Sequence, residues 1–175
     1  RRSIGMEARK SLDGSFDAKT IAFQYADSRP NLIYLKELIE PLNKLYEMTK
    51  AFKLKIVCDD FIDGFKCPLE KKLWNEDDEV KDIQSFDIGI FPLLEDRWTR
   101  GKCALKLLQY MSCGIASVSS TTDVTSHIVR DGVNGYLAST ATEWLEKLKL
   151  LIQDSEKRRS IGMEARKSLD GSFDA

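Results

Sequence analysis

The sequence is poor in the residues that hold structural zinc. It has one histidine, His127, and its four cysteines, Cys58, Cys67, Cys103 and Cys113, are never spaced as C-x-x-C. Structural zinc sites depend on closely spaced Cys and His ligands, so we expect no metal site. Scattered thiols are typical of a reducing compartment, which indicates a cytoplasmic protein.

Long apolar runs and a charge excess are also missing. The chain has 27 Lys and Arg against 28 Asp and Glu, a net charge of −1. No run approaches the roughly 20 apolar residues of a membrane span, no signal peptide is recognised, and no basic excess indicates a nucleic-acid partner. A chain of 175 residues that is 42% hydrophobic and 31% charged is typical of one globular domain.

The two ends of the chain carry the same 18 residues. Positions 1–18 read RRSIGMEARKSLDGSFDA, and positions 158–175 repeat them without a difference. Divergence does not leave such identity, so we interpret positions 1–18 as an overlap from engineering or circular permutation, or as part of a longer repeating chain. Positions 19–175 are then the functional domain.

The repeated segment has the pattern of one helix. Ile161, Ala165 and Leu169 share a face, and Gly171 is placed to end the helix. One domain offers one docking site for this face. The N-terminal copy must therefore fray, or dock on a neighbouring molecule in a domain-swapped homo-oligomer.

Apolar strand patterns alternate with helical patterns along the rest of the chain. The strands are expected at 20–26, 54–58, 86–93, 115–119 and 135–137, and the helices at 32–46, 75–84, 101–114 and from Thr140 onward. The segments 59–74 and 120–126 are expected to be irregular. Apolar, non-alternating strands between helices predict an α/β fold with a doubly wound parallel sheet, whose ligands bind at the carboxyl ends of the strands.

The segment Gly101–Gly114, GKCALKLLQYMSCG, places two lysines near the start of an apolar helix. Lys102, Lys106 and Gln109 follow one narrow stripe of that helix. A lysine at the positive end of a helix costs a few tenths to about 1 kcal/mol, and two at i, i+4 repel each other. A bound phosphate or diphosphate would reverse both penalties.

A simpler interpretation of the two lysines stays open at this point. Both side chains can reach solvent, with Glu95, Asp96 or Asp123 as counter-ions. The segment is not a P-loop, because the spacing G-x4-G-K-[ST] is absent.

A longer pattern resembles a known family. The succession FDIGIFPL, GKCALKLLQYMSCG, DGVNGYLA and EW is similar to the C-terminal donor-binding domain of GT-B-fold group 1 glycosyltransferases. More narrowly, it resembles the branch with G-K-C-x-x-K-x-x-Q-Y-M in place of E-x7-E. The similarity covers about positions 74–169.

The resemblance implies a Rossmann-like domain at 19–175 that binds a nucleotide-diphosphate sugar of the UDP or GDP type as donor substrate. It places Gly101, Lys102 and Lys106 at the diphosphate and Gln109 at the ribose. By the same resemblance Thr121 and Thr122 donate hydrogen bonds, and Arg29 is a basic residue at the diphosphate. The implied reaction is metal-independent and uses an N-terminal acceptor-binding domain that this chain lacks, so we expect the fragment to be inactive. For the full-length protein we expect a cytoplasmic location, with peripheral membrane association as the alternative.

Departures from the family pattern keep a second hypothesis open. Gly101 stands where the first Glu of E-x7-E would fall, and Asp123 replaces a glycine that faces phosphate. A carboxylate there repels an anionic ligand. The chain is then a degenerate, non-catalytic module of the same fold. A receiver or flavodoxin-like domain is a weaker third reading, based on Asp59 and Asp60 after a strand.

Overall fold

The computed structural model describes residues 19–24, 29–94 and 104–172. These residues form one six-stranded, all-parallel sheet with the strand order β3-β2-β1-β4-β5-β6. The strands are β1 (Lys19–Gln24), β2 (Phe52–Cys58), β3 (Leu69–Leu73), β4 (Ile88–Phe91), β5 (Ala116–Ser120) and β6 (Tyr136–Ala138).

Helices follow the strands and cover the sheet. They are α1 (Arg29–Lys36), α2 (Ile39–Thr49), α3 (Glu79–Gln84), α4 (Leu105–Ser112), α5 (Asp123–Ile128), α6 (Ala141–Gln153) and α7 (Ser155–Ser172), with a 3-10 turn at Glu76–Asp78 before α3. The predicted doubly wound Rossmann-like fold is confirmed. The strand order reverses between β1 and β4, so the topological switch point lies there.

The strands of the sheet centre are buried from end to end. β4 is buried at every position and β1 at all but the first, as expected for parallel strands covered on both faces. Among the described helices, none combines the length and apolarity that a bilayer crossing requires.

The edge strand β3 lies in the segment that was predicted to be irregular, so that prediction is wrong. Its sequence LEKKL is mostly charged and only half-buried. Glu70 accepts a hydrogen bond from Lys53 of β2 at 3.0 Å, and Lys72 donates to Asp82 of α3 at 2.7 Å. An edge strand that is blunted by charge carries no apolar run to reveal it.

The helix predicted at 32–46 is split into α1 and α2. The break falls at Glu37 and Leu38, where the Leu38 amide donates to the Leu35 carbonyl at 3.0 Å. Pro41 explains it, because proline has no N–H and its ring would clash with the carbonyl of Glu37 in a continuous helix.

The loop predicted at 120–126 contains a helix start. Thr122 caps α5 in a reciprocal capping box with Thr125. His127 lies on the exposed side of α5, where its Nδ1 is 2.6 Å from the Asp123 carbonyl oxygen. This agrees with its interpretation as a surface helix residue.

The C-terminal helix α7 packs with the face that the repeat pattern predicted. Ile161 and Ala165 are buried, and Leu169 packs on the core. Gly162 allows close contact, because a Cβ there would lie 2.2 Å from the Gly114 carbonyl oxygen. The N-terminal copy, 1–18, lies outside the described residues.

Candidate functional site

The candidate site lies at the carboxyl ends of β1 and β4, beside the switch point. Tyr110 of α4 is fully buried there and joins the two strands: its hydroxyl accepts from the Gln24 amide at 3.2 Å and donates to the Ile90 carbonyl at 3.3 Å. Gly89 makes room for the ring, since a Cβ there would lie 2.6 Å from it. This packing anchors α4 against the switch point through its second turn.

Lys106, in the first turn of α4, is not a free cation. Its ammonium donates a hydrogen bond to Glu79 in the first turn of α3, and the two side chains are only 9% and 15% exposed. It also lies 6.0 Å from the centre of the Trp74 ring. Since Glu79 sits at the positive end of its own helix, the pair offsets the unfavourable position of Lys106.

Gln109, one turn later, completes this arrangement. Its side-chain amide is close enough to the Glu79 carboxylate to contribute to the lowering of the Glu79 pKa. Burial raises the pKa of Glu79, but the hydrogen bonds from Lys106 and Gln109 and the charge of Lys106 outweigh it, and the pKa lies below its ordinary value. Glu79 is therefore ionised at neutral pH.

Three buried polar atoms around this pair have no hydrogen-bond partner among the described residues. They are Gln24 Oε1, Trp74 Nε1 and Gln109 Oε1. The side-chain nitrogen of Gln24, Nε2, donates a hydrogen bond to the Glu79 backbone carbonyl at 3.3 Å. We call the five residues Gln24, Trp74, Glu79, Lys106 and Gln109 the Glu79 cluster.

Only some of the predicted site residues lie among the residues that the structure describes. Lys106 and Gln109 lie together in the cluster. Gly101 and Lys102 lie outside the described residues, and Arg29 begins α1 with a side chain that is also outside them. The proposed counter-ions Glu95 and Asp96 are not described either. The diphosphate roles of Gly101, Lys102 and Arg29 stay predictions.

Thr121 and Thr122 follow β5 at the same edge of the sheet. The Thr122 hydroxyl accepts from the Thr125 amide at 3.2 Å and so serves the cap of α5. The Thr121 amide donates to the Ala138 carbonyl at 3.1 Å, while its side chain is exposed. Of these two threonines, Thr121 is therefore the one whose hydroxyl is exposed to solvent at the strand end.

Glu79, Trp74 and Gln24 were not predicted as site residues. Glu79 belongs to the acidic run NEDDE, in which nothing distinguishes one acid from the next. Its carboxylate meets Lys106 only because α3 and α4 contact each other in the fold. For Gln24, the sequence offered one signal: a polar residue at the end of an apolar strand.

A separate open cleft of about 470 Å³ borders α2. Three lysines and three glutamates line it, so its charges balance, and Lys66 there pairs with Glu47. It offers no concentrated charge for an ionic ligand. In the described part of the chain, no group of three His, Cys, Asp or Glu side chains is arranged to hold a metal ion.

A family model described as glycosyl transferases, group 1, matches residues 73–154, just under half of the chain. This segment runs from the end of β3 through α6 and contains Glu79, Lys106 and Gln109. The match confirms the predicted resemblance to group 1 glycosyltransferases over this segment. A search of the curated proteins found no match.

Solved structures share the fold. TarM superposes with a TM-score of 0.73 at 16% identity, over 89% of this chain and 32% of TarM. The C-terminal domain of LpcC from Francisella tularensis gives 0.62 at 15%, over 90% and 87%. HepE from Anabaena, in complex with UDP-glucose, gives 0.70 at 13%, over 99% and 50%. The chain thus spans about a third of TarM and half of HepE.

Proposed function

We propose that this chain is the donor-binding half of a glycosyltransferase, which holds a nucleotide-diphosphate sugar for transfer of the sugar to an acceptor. One observation carries the proposal: the buried Lys106–Glu79–Gln109 arrangement lies at the switch point, inside the segment that matches the family. Rossmann-like sheets bind nucleotides at this place.

Charge placement supports binding of a diphosphate here. The Lys106 ammonium has three N–H donors, of which Glu79 takes one. The α4 N-terminus adds its positive partial charge. In the sequence, Gly101 and Lys102 precede α4, Arg29 begins α1 and Thr121 follows β5. Fixed donors of this kind stabilise a leaving diphosphate without a metal ion.

The structure with UDP-glucose bound is that of HepE, and it supports a UDP-type donor for this chain as one candidate. The acceptor and part of the catalytic groups come from an N-terminal domain in this proposal. We therefore expect the 175-residue chain to bind the nucleotide and to transfer no sugar by itself.

The ion pair also favours a second candidate function. Lys106 is already neutralised by Glu79, so its position does not require an anion. Together with the Asp123 carboxylate at the start of α5, this supports a degenerate module that keeps the fold for assembly.

Calorimetric titration with UDP, GDP and ADP distinguishes the two. The donor-binding proposal expects one diphosphate to bind, and Lys106→Met to weaken it about tenfold or more, as for loss of a charged hydrogen bond. Lys81→Met, an exposed lysine of α3, is the matched control and should change nothing. No binding to the folded wild type by any of the three would favour the structural module.

A further inference from the structure

The unsatisfied polar atoms of the fold are concentrated in one place. Five buried side-chain N or O atoms lack a hydrogen-bond partner in the described part of the chain, and three of them belong to the Glu79 cluster. Gln24 is fully buried and carries one of the three. Folded proteins hold few such atoms, because each costs stability, so this concentration indicates a place where a polar ligand can bind.

Two of the three free atoms, the amide oxygens of Gln24 and Gln109, are hydrogen-bond acceptors, and the third, Trp74 Nε1, is an N–H donor. Gln109 Oε1 is buried without a hydrogen-bond partner among the described residues, so it is available as an acceptor. The Gln24 side chain donates from Nε2 to the Glu79 backbone carbonyl. Its Oε1 has no hydrogen-bond partner among the described residues and is a second available acceptor. The Glu79 carboxylate offers lone pairs beyond those used by Lys106 and Gln109.

A group of neighbouring acceptors selects a ligand that donates. A vicinal diol donates two O–H groups at adjacent carbons and fits a carboxylate beside an amide oxygen. A phosphate only accepts, and the Glu79 carboxylate repels it. The cluster therefore separates two parts of one ligand: hydroxyls at Glu79, and phosphate at the free N–H groups of Lys106 and the start of α4.

We propose that Glu79 of α3 is the carboxylate that accepts a hydroxyl of the donor's ribose, with Gln109 Oε1 as the second acceptor of the 2′,3′-diol. This inference rests on the proposed function, since it names a further contact of the same nucleotide. Gln109 stands where the family resemblance places the ribose carboxylate. Glu79, which pairs with Lys106, 27 residues later in the chain, restores that charge from a different helix.

The test varies the hydroxyl on the ligand and the carboxylate on the protein. The full chain is titrated with the nucleoside diphosphate that binds best, with its 2′,3′-dideoxy analogue and with inorganic pyrophosphate. In the wild type, we expect the dideoxy analogue to bind about tenfold or more weakly, because it loses hydrogen bonds to a charged acceptor. This arm needs no mutation.

The protein arm uses Glu79→Gln. It should remove most of the preference for the ribose hydroxyls and leave pyrophosphate binding equal or stronger, because repulsion is lost. Glu79→Asp keeps the charge but withdraws the oxygens by one methylene, and should lower the preference as well. Glu76→Gln, an exposed acid just before α3, is the matched control and should behave as wild type.

Each failure has a separate meaning. If the wild type binds the nucleotide but not more tightly than the dideoxy analogue, or if Glu79→Gln keeps the full preference, the role of Glu79 is overturned while donor binding stands. If no nucleoside diphosphate binds the folded wild type, the proposed function and this inference are both overturned.

Discussion

Lys106 and Glu79 are 27 residues apart in the sequence and form an ion pair between the first turns of α4 and α3. Both side chains are nearly buried, so each depends on the other for its charge. We expect Lys106→Met to destabilise the fold by about 2–3 kcal/mol, because it leaves a buried carboxylate without its cation. Urea unfolding monitored by circular dichroism measures this.

The neutral double variant is the control for that change. Lys106→Met with Glu79→Gln leaves no buried charge and should recover at least half of the loss. If the double variant is as unstable as the sum of the single ones, the two residues are not coupled and the ion pair is contradicted.

The pH dependence of stability follows from the lowered pKa of Glu79. A carboxyl whose pKa is lower in the folded state stabilises the protein above its unfolded-state pKa. It loses that contribution as the pH falls through the folded pKa. The difference in unfolding free energy between wild type and Glu79→Gln should therefore shrink below about pH 4. A difference that stays constant down to the acid transition would show that Glu79 gains nothing from its partners.

The close contact between α7 and the turn after α4 makes Gly162 sensitive. Its Cβ would lie 2.2 Å from the Gly114 carbonyl oxygen. We expect Gly162→Ala to lower the unfolding free energy by about 2 kcal/mol or more. Gly171→Ala is the matched control on the same helix: nothing lies within 4 Å, so it should be neutral or stabilising by up to about 1 kcal/mol. Equal effects of the two substitutions would contradict this packing.

Thr122 was predicted to contact the ligand, and the structure gives its hydroxyl a capping role. We expect Thr122→Ala to cost about 1 kcal/mol and Thr122→Ser to cost much less, since serine also caps. Thr121→Ala, at an exposed neighbour, should stay within about 0.5 kcal/mol of wild type. Thermal unfolding of the three variants checks this. An unchanged melting temperature for Thr122→Ala would contradict the cap.

The duplicated segment gives a prediction that the described residues leave open. The groove that accepts Ile161 and Ala165 of α7 is the only docking site predicted for the identical face of 1–18. We expect a concentration-dependent dimer by light scattering that is lost when 1–18 is deleted. A monomer at all concentrations would show that the copies do not exchange.

Much of the fold was predictable because strands that are buried on both faces have apolar sequences. The apolar runs of β1, β2 and β4 belong to a parallel sheet covered on both faces, and Thr140 indicated the start of α6. The edge strand β3 was not predictable, since its side chains are charged and its partners are formed across the sheet. The break before α2 depended on weighing Pro41 against a continuous apolar period.

The candidate site was predictable only where it lies on one element. Lys106 and Gln109 share a stripe of α4 that helical spacing reveals. Glu79 and Gln24 come from other elements, and only the parallel sheet brings them to the same edge. The sequence indicated that Lys106 needs a partner, and both a bound anion and the counter-ions Glu95, Asp96 and Asp123 were considered. The fold supplies Glu79 as its partner.

Nuclear magnetic resonance of the ¹⁵N-labelled chain tests the central claim most directly. Addition of the best-binding nucleoside diphosphate should shift the amide signals of Lys106, Gln109 and Glu79, and leave Ala165 in α7 unmoved. Glu40, which lines the cleft beside α2, serves as the second reference. Shifts confined to that cleft, or no shifts at saturating nucleotide, would contradict donor binding at the Glu79 cluster.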